Sequence, residues 1–327
     1  VQTCALPICL IQPLDDYIDF NDPRWEGMQK YLSMFMENGK HMATFSDVTT
    51  PGGIVWYNTR IFEENGLETP YELYKRNAWD WDALTELAIA LTQDNDGDGV
   101  NDLYGFQEVN FNWKPLTEVP FVGVDAKGDY VNNMRNPRLY AGKDLLGDLY
   151  SKHKVIAPGN WLKNFLAGTT AMVEAPQWLY MRFNEMLGDG IVEVVPYPNL
   201  PGESKTYIWA SLSSGMFMPK GAKNPDAAVA LMTLVRDQVD VWAEIQENRL
   251  FASEKYNVTQ QYWDVIDELG KNPRFEPVLD MADSFGMITI RRGGYPQDVW
   301  AGLPWSTLAE KYYPIMQADI EQKLSSD

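Results

Sequence analysis

Four aspartates crowd one short run, DNDGDGVND: Asp94, Asp96, Asp98 and Asp102. Counted from Asp94, the first three occupy positions 1, 3 and 5 of an EF-hand-like loop. Gly99 takes the sharp turn at position 6, Val100 the carbonyl position 7 and Asp102 position 9. Oxygen ligands at this spacing suit a hard cation, and carboxylates this close repel one another unless one is bound. Position 12 is Gly105, so the bidentate glutamate of a full EF-hand is missing, and Glu108 is out of register. The expectation is a structural Ca2+ held by Asp94, Asp96, Asp98, Val100 and Asp102. The plainer alternative is a solvated acidic loop closed by glycines.

Other chemistry has little to work with. The only histidines are His41 and His153, far apart, which leaves little material for a His-based zinc site or a Ser-His-Asp triad. Carboxylates are plentiful, as glycoside hydrolysis would need, but no pair stands out by its context. The formal charge of −19 and a pI of about 4.5 repel phosphate backbones and argue against a nucleic-acid partner. They are compatible with a neutral ligand and an extracellular setting.

A second kind of site lies at Phe165–Tyr180, FLAGTTAMVEAPQWLY. A short helical end at residues 160–166 is closed by Gly168. A strand-like run, 169–173, follows, Pro176 stops it, and Trp178 opens the next helix. Where a strand gives way to a helix N-terminus, unpaired N–H groups point outward. A tryptophan beside those donors supplies a flat apolar face, and a sugar ring needs both. Trp178 is equally readable as a packing residue. Trp113, Tyr295 and Trp300 are further aromatic candidates for a ligand cleft, together with Trp305, and core packing is the alternative for each. Ser213 and Ser214 could offer hydroxyl and backbone groups to a sugar, or be plain solvated loop.

These residues have to be positioned by a chain of 327 residues with 45% hydrophobic content, long enough for two globular units. No apolar run is long enough to span a membrane. Both cysteines, Cys4 and Cys9, lie at the start. Residues 1–9 have neither a positive n-region nor a long apolar stretch, and read as a non-native leader rather than a signal peptide. The spacing predicts helices over 23–37, capped by Asp22 and ended by Asn38-Gly39, and over 59–65, 80–91, 136–152, 178–187, 225–236, 240–246, 260–269, 275–282 and 308–324. Short strands are expected at 42–47, 54–57, 191–195 and 207–212. Between the first two of these lies TTPGG, ending in Gly53, a break whose dihedrals can change cheaply.

The order of motifs resembles one family. Phe165, Gly168, Ala171, Met172 and Trp178 are similar to the F-x-x-G-x-x-A-M-x-x-x-x-x-W signature of the extracellular solute-binding proteins of sugar ABC transporters, the family of maltose-binding protein. LIQPLDDYI resembles that family's L-x-P-L-D-D-Y-I segment. Tyr57, Asn58, Phe62, Gly66 and Leu67 resemble its Y-N-x-x-x-F-x-x-x-G-L element. Tyr104-Gly105-Phe106 follows the acidic loop as in many Gram-positive members. Pro219, Lys220, Asn224, Pro225, Ala227 and Ala228 resemble the segment that re-enters lobe one.

The resemblance implies an α/β, type II periplasmic-binding-protein-like fold of two lobes joined by a hinge, with lobe one incomplete. It divides the chain into part of lobe one (10–52), lobe two (53–212), a return to lobe one (213–250) and C-terminal helices packing on both lobes (251–327). It implies that Trp178 stacks on a bound sugar, that hinge closure traps the ligand, and that ABC permease subunits recognise the closed form. It also implies a cell-surface or periplasmic location, with membrane attachment only through a lipid anchor ahead of the present start. A glycoside hydrolase, or a Ca2+-dependent carbohydrate or adhesion module, are the alternatives of other classes.

Overall fold

The computed structural model describes residues 10–26, 28–45, 53–108, 117–125, 129–209, 215–238, 241–271, 274–278, 280, 282 and 286–324. The chain begins with β1 (Ile11–Gln12), a 3-10 turn at Pro23–Trp25 and α1 (Gln29–Leu32), followed by a second 3-10 turn at Ser33–Phe35. Asp22 does cap this start, its carboxylate accepting from the Arg24 N–H at 3.0 Å. The single helix expected over 23–37 is broken, however. Asn38 and Gly39 both have positive φ, 49° and 75°. That is the two-residue hairpin loop Asn-Gly favours, not a helix end. It pairs β2 (Met36–Glu37) with β3 (Lys40–His41) and draws the end of the expected helix into a ribbon. The next strand, β4, is Thr44–Phe45, and 46–52 lie outside the described residues.

The chain then builds a larger body. β5 (Ile54–Asn58) is wholly buried. It runs into α2 (Thr59–Glu64), whose first turn is capped by the Asn58 side chain accepting from Ile61 N at 3.2 Å. Thr69 and Glu72 form a reciprocal capping box on α3 (Pro70–Lys75). Asp80 caps α4 (Trp81–Ala90), accepting from Ala83 N at 2.9 Å. After the acidic loop comes β6 (Tyr104–Glu108), then the β7 (Val122–Val124) and β8 (Tyr130–Asn132) hairpin. Asn136 and Asn160 cap α5 (Pro137–Ser151) and α6 (Trp161–Leu166). β9 (Thr170–Ala175) has all six residues buried. A 3-10 turn (Gln177–Arg182), α7 (Asn184–Gly188), β10 (Val192–Val195) and β11 (Thr206–Trp209) follow.

The return and the C-terminal part consist of β12 (Gly215–Met216), β13 (Met218–Pro219), α8 (Pro225–Gln238), α9 (Val241–Tyr256), α10 (Gln260–Lys271), β14 (Phe275–Val278), α11 (Met287–Arg292), α12 (Tyr295–Trp300) and α13 (Trp305–Leu324). Residues 275–278 were expected to be helical. They instead pair in parallel with β11, Ile208 opposite Pro277. Proline lacks the N–H of a central ladder but is tolerated in an outer strand. Among the described residues no helix is long and apolar enough to cross a membrane.

The main sheet has four strands in the order β10-β5-β9-β6, with β9 parallel to β6 and antiparallel to β5. Its core joins Trp56, Trp81, Phe106, Met172 and Val194 to the later helices, and every buried apolar residue assigned to a core from Ala252 to Ile320 belongs to it. A separate, smaller core holds Leu14, Trp25, Met28 and Leu32 with Met218 and Met232. It is built from 10–45 and the returning 215–238, while the described C-terminal residues pack on the larger body.

The sheet depends on one close approach. A Cβ on Gly105 would lie 2.0 Å from the Ala88 carbonyl oxygen, so β6 can lie against α4 only with glycine there. Gly105→Ala is expected to destabilise the protein by about 3 kcal/mol, because backbone rather than a side-chain tip must yield. Urea unfolding monitored by fluorescence measures this, and an unchanged midpoint would show that α4 is free to shift.

Candidate functional site

The chain leaves the smaller body after Phe45 and returns to it at Gly215. β4 and β12 pair antiparallel, Phe45 opposite Gly215 and Thr44 opposite Met216. The outgoing and returning crossings therefore start side by side. Their inner residues, including Ser213 and Ser214, lie outside the described residues. On the far side the outgoing crossing enters the larger body at Gly53, which is buried. A Cβ there would sit 2.3 Å from Glu174 Oε1 and 3.3 Å from the Tyr197 ring and hydroxyl. Glu174 has no solvent exposure.

The next residue, Ile54, is the register partner of Ala175, the last residue of β9. The turn beyond β9 thus begins beside the crossing. Pro176 precedes the 3-10 turn, in which Trp178 is the second residue, and the α-helix that follows is the separate α7. The continuous helix expected from Trp178 is replaced by these two short pieces. The Trp178 side chain is outside the described residues, but the turn that carries it is firmly placed. Tyr262 of α10 donates its hydroxyl to the Gln177 carbonyl at 2.9 Å and also contacts the Gln177 side-chain oxygen. Its ring is fully buried beside Trp56, Tyr180 and Trp263, with centroids 5.7, 5.9 and 4.8 Å away. Burial holds the Tyr262 hydroxyl well above the ordinary tyrosine range, so it stays a donor.

The first turn of α10 also reaches the edge strand. The Thr259 hydroxyl donates to Glu193 Oε2 at 3.0 Å and accepts from Tyr262 N at 3.1 Å, and Gln261 Nε2 donates to the Tyr57 hydroxyl at 3.1 Å. Burial raises the Glu193 carboxyl to about 7, against the pull of Thr259 and the Val194 N–H. Sequence reasoning missed Gln177, Glu193, Thr259 and Tyr262. They come from three distant segments, and only the Thr259 capping position carries a local signal.

The remaining aromatic candidates part ways. Trp113 lies outside the described residues, as does the Trp300 side chain, although Trp300 ends α12. Tyr295, expected at a cleft, is an interior ring instead. It is 3% exposed and packs edge-on against Phe121, Trp305 and Tyr312. Gly294, with φ 104°, turns the chain so that this ring faces inward. Trp305 is also interior, stacked on Phe121 at 5.4 Å, with its indole N–H on the Met134 carbonyl at 3.0 Å.

In the acidic loop, carboxylate oxygens of Asp94, Asp96 and Asp102 lie within 4.8 Å of one another. Asp98 is outside that group of three. Asp94 accepts from Gly97 N at 2.7 Å and Gly99 N at 2.8 Å, and these backbone bonds hold its carboxyl below the ordinary range. A separate open cavity of about 650 Å³ on the smaller body is lined by Asp15, Asp16, Tyr17, Asp19, Phe20 and His41 among others. Its carboxylates are already engaged. Asp15 binds the His41 ring at 2.8 Å, Asp16 lies 3.8 Å from Lys40, and Asp19 accepts from Asn21 N at 2.9 Å.

Two separate cores and paired crossings between them make a two-lobed α/β fold, with the turn after a buried strand beginning beside one crossing. The family of bacterial extracellular solute-binding proteins matches residues 8–243, and the chain belongs to it. Solved structures show the same fold at low identity. The ABC substrate-binding protein Lmo0181 of Listeria monocytogenes, in complex with cycloalternan, has a TM-score of 0.65 at 13% identity, with 97% of this chain and 80% of that one covered. The sugar-binding protein MalE of Xanthomonas citri has a TM-score of 0.66 at 12% identity, with the same coverage. UgpB of Mycobacterium tuberculosis, in complex with glycerophosphocholine, has a TM-score of 0.64 at 15% identity, again covering 97% and 80%. No curated protein matches the sequence.

If Gly53 keeps the crossing clear of Glu174, Gly53→Ala should cost about 1–3 kcal/mol. Combined with Glu174→Ala, the loss should be smaller than the sum of the two single changes. Strictly additive losses in chemical denaturation would show that the two residues do not compete for space.

Proposed function

We propose that this protein is an extracellular receptor for a sugar or oligosaccharide. It would bind by closing its two bodies about the paired crossings and hand the ligand to the permease of an ABC importer. The observation that carries this reading is the register of Ile54 with Ala175, which sets the Trp178 turn next to the place where the bodies join. A ligand held there touches a wall of the larger body and lies within reach of the smaller one, so closure and binding stabilise each other. The carbohydrate complex of one structural neighbour supports the class of ligand, and another carries a sugar-binding designation. Nothing in this role calls for a nucleophile or a general base, and a receptor's work is differential binding of open and closed forms.

Calorimetric titration with a panel of oligosaccharides tests the reading. Saturable binding without product formation is expected. Trp178→Ala should weaken it by about 1–3 kcal/mol, taking aromatic stacking on bases as the guide. Unchanged affinity would remove Trp178 from the site, and turnover of the sugar would favour a hydrolase.

We also propose that the acidic loop takes a structural Ca2+. Asp94, Asp96 and Asp102 would supply carboxylate oxygens and Val100 its carbonyl, and the ion would offset their mutual repulsion. The fit rests on the three converging carboxylates and on the tight Gly97 and Gly99 turns, φ 77° and 86°. Asp98 is the poorest fit of the expected ligands. Added Ca2+ should raise the melting temperature of the EDTA-treated protein, and Asp94→Asn should abolish that rise. A melting temperature indifferent to Ca2+ would leave a solvated loop.

A further inference from the structure

Gln177 is the first residue of the Gln177–Arg182 turn, and a single side chain holds it at two points. The Tyr262 hydroxyl reaches its backbone carbonyl, at 2.9 Å, and also its side-chain Oε1. A phenol has one proton to give, so two acceptors of the same residue converge on one donor. That donor is itself fixed. Tyr262 has no solvent exposure, its ring is packed beside Trp56, Tyr180 and Trp263, and its backbone N–H is tied to the Thr259 hydroxyl at 3.1 Å. With Oε1 held, the amide plane of Gln177 is set, and Nε2 is the end left for another partner. Gln177 is half-buried, and among the described residues nothing bonds this Nε2. A pinned amide donor thus stands next to Trp178, on the turn that begins beside the outgoing crossing. We propose that Gln177 is a ligand-contacting residue, its Nε2 donating to an oxygen of a sugar lying against this turn, and that Tyr262 is the positioning residue that aims it. The inference rests on the reading that the turn is a wall of the sugar site.

An amide donor supplies what an aromatic face lacks. Stacking on an indole covers the apolar face of a sugar ring but leaves the hydroxyls at its edge unmatched. A neighbouring N–H matches one of them, and it recognises an acceptor: a hydroxyl, ring or glycosidic oxygen. The donor carries no charge, so it suits an uncharged sugar and brings no buried ion with it. Orientation in advance matters. A glutamine moving freely in solvent loses rotamer freedom when it binds, whereas one pinned by Tyr262 has lost that freedom on folding. Tyr262 cannot make the contact itself, because its hydroxyl is buried and already engaged. A purely structural role would need less than is present. The bond from Tyr262 to the Gln177 carbonyl already fastens the backbone of the turn, and it survives any change of side chain at 177. The second bond, to Oε1, adds nothing to the backbone and serves to orient the amide.

Calorimetric titration of the full chain, paired with amide hydrogen exchange at 177–182, tests both parts. The probe is maltotriose, or the tightest binder of the oligosaccharide panel where maltotriose does not bind. Gln177→Met keeps the length of the side chain and the backbone bond to Tyr262 but has no amide. It should bind the probe about 3–10-fold more weakly, the worth of one neutral hydrogen bond, with the exchange protection of the turn unchanged. Unchanged affinity overturns the contact, and so does a loss of affinity that comes with a loss of protection, since the role is then structural. The side-chain amide NMR signals of Gln177, identified by their absence in Gln177→Met, should shift when the probe is added. Signals that stay in place while the probe binds overturn the contact as well. Tyr262→Phe keeps the packed ring and removes the hydroxyl. It should also weaken binding, and the loss in the double variant with Gln177→Met should be smaller than the sum of the single losses. Additive losses overturn the positioning role of Tyr262. If Trp178→Ala lowers affinity and Gln177→Met does not, the sugar reading stands and this proposal falls. If no oligosaccharide of the panel binds the wild type, the sugar reading falls and takes the proposal with it.

Discussion

The burial of β9 on both faces sets the terms for everything around it. Its six residues have no side free for solvent, so helices must cover both faces and strands must flank both edges. β6 can take up its place only because Gly105 lets it press against α4. β5 supplies the other edge and brings the outgoing crossing with it, through Ile54 beside Ala175. A strand enclosed in this way must surface abruptly. Pro176 ends the ladder, and the next residues emerge as a tight 3-10 turn held by a buried tyrosine. The Trp178 turn, the entry of the outgoing crossing and the sheet centre are thus consequences of one packed strand.

Where structure is settled by a few neighbouring residues, the sequence was a reliable guide. Asp22 caps the start it was expected to cap, and Asn58, Asp80, Asn136 and Asn160 cap their helices in the same way, because an N-cap needs only one side-chain oxygen and the next N–H groups. Where the outcome turns on a distant partner, it was not. Residues 275–278 have a composition that allows helix or strand, and pairing with β11, far away in the chain, decides the matter. Asn38-Gly39 was a true turn signal assigned to the wrong turn, since helix C-caps and hairpins both use positive φ. Tyr295 looked like a loop aromatic, but its ring is turned inward onto Phe121 and Trp305. The bonded group of Glu193, Thr259, Tyr262 and Gln177 left almost no trace in the sequence. Its residues are ordinary polar types whose meaning lies in being brought together.

The two cores are what a hinge between the bodies would require. The smaller is assembled from two stretches of chain, 10–45 and 215–238, and the described cores share no buried residue. Moving one body against the other therefore does not require tearing a common interior. Crossings that start from a short two-residue pairing, Thr44–Phe45 with Gly215–Met216, would restrict such a motion to a narrow region. Gly53 serves the same end on the other side, where it lets the backbone pass a buried carboxylate that a side chain would displace.

The division of labour between the bodies follows from where the C-terminal helices sit. Their described core residues belong to the larger body, and α10 is bonded to both its edge strand and its Trp178 turn. The turn that carries Trp178 is accordingly backed by the buried Tyr262 ring, packed beside Trp56, Tyr180 and Trp263. Among the described residues the smaller body has fewer core residues and only two-stranded pairings. Recognition can then be exacting on one side and adaptable on the other. On the proposed reading, a preformed wall would lower the entropy lost on binding, and closure would report that the site is filled.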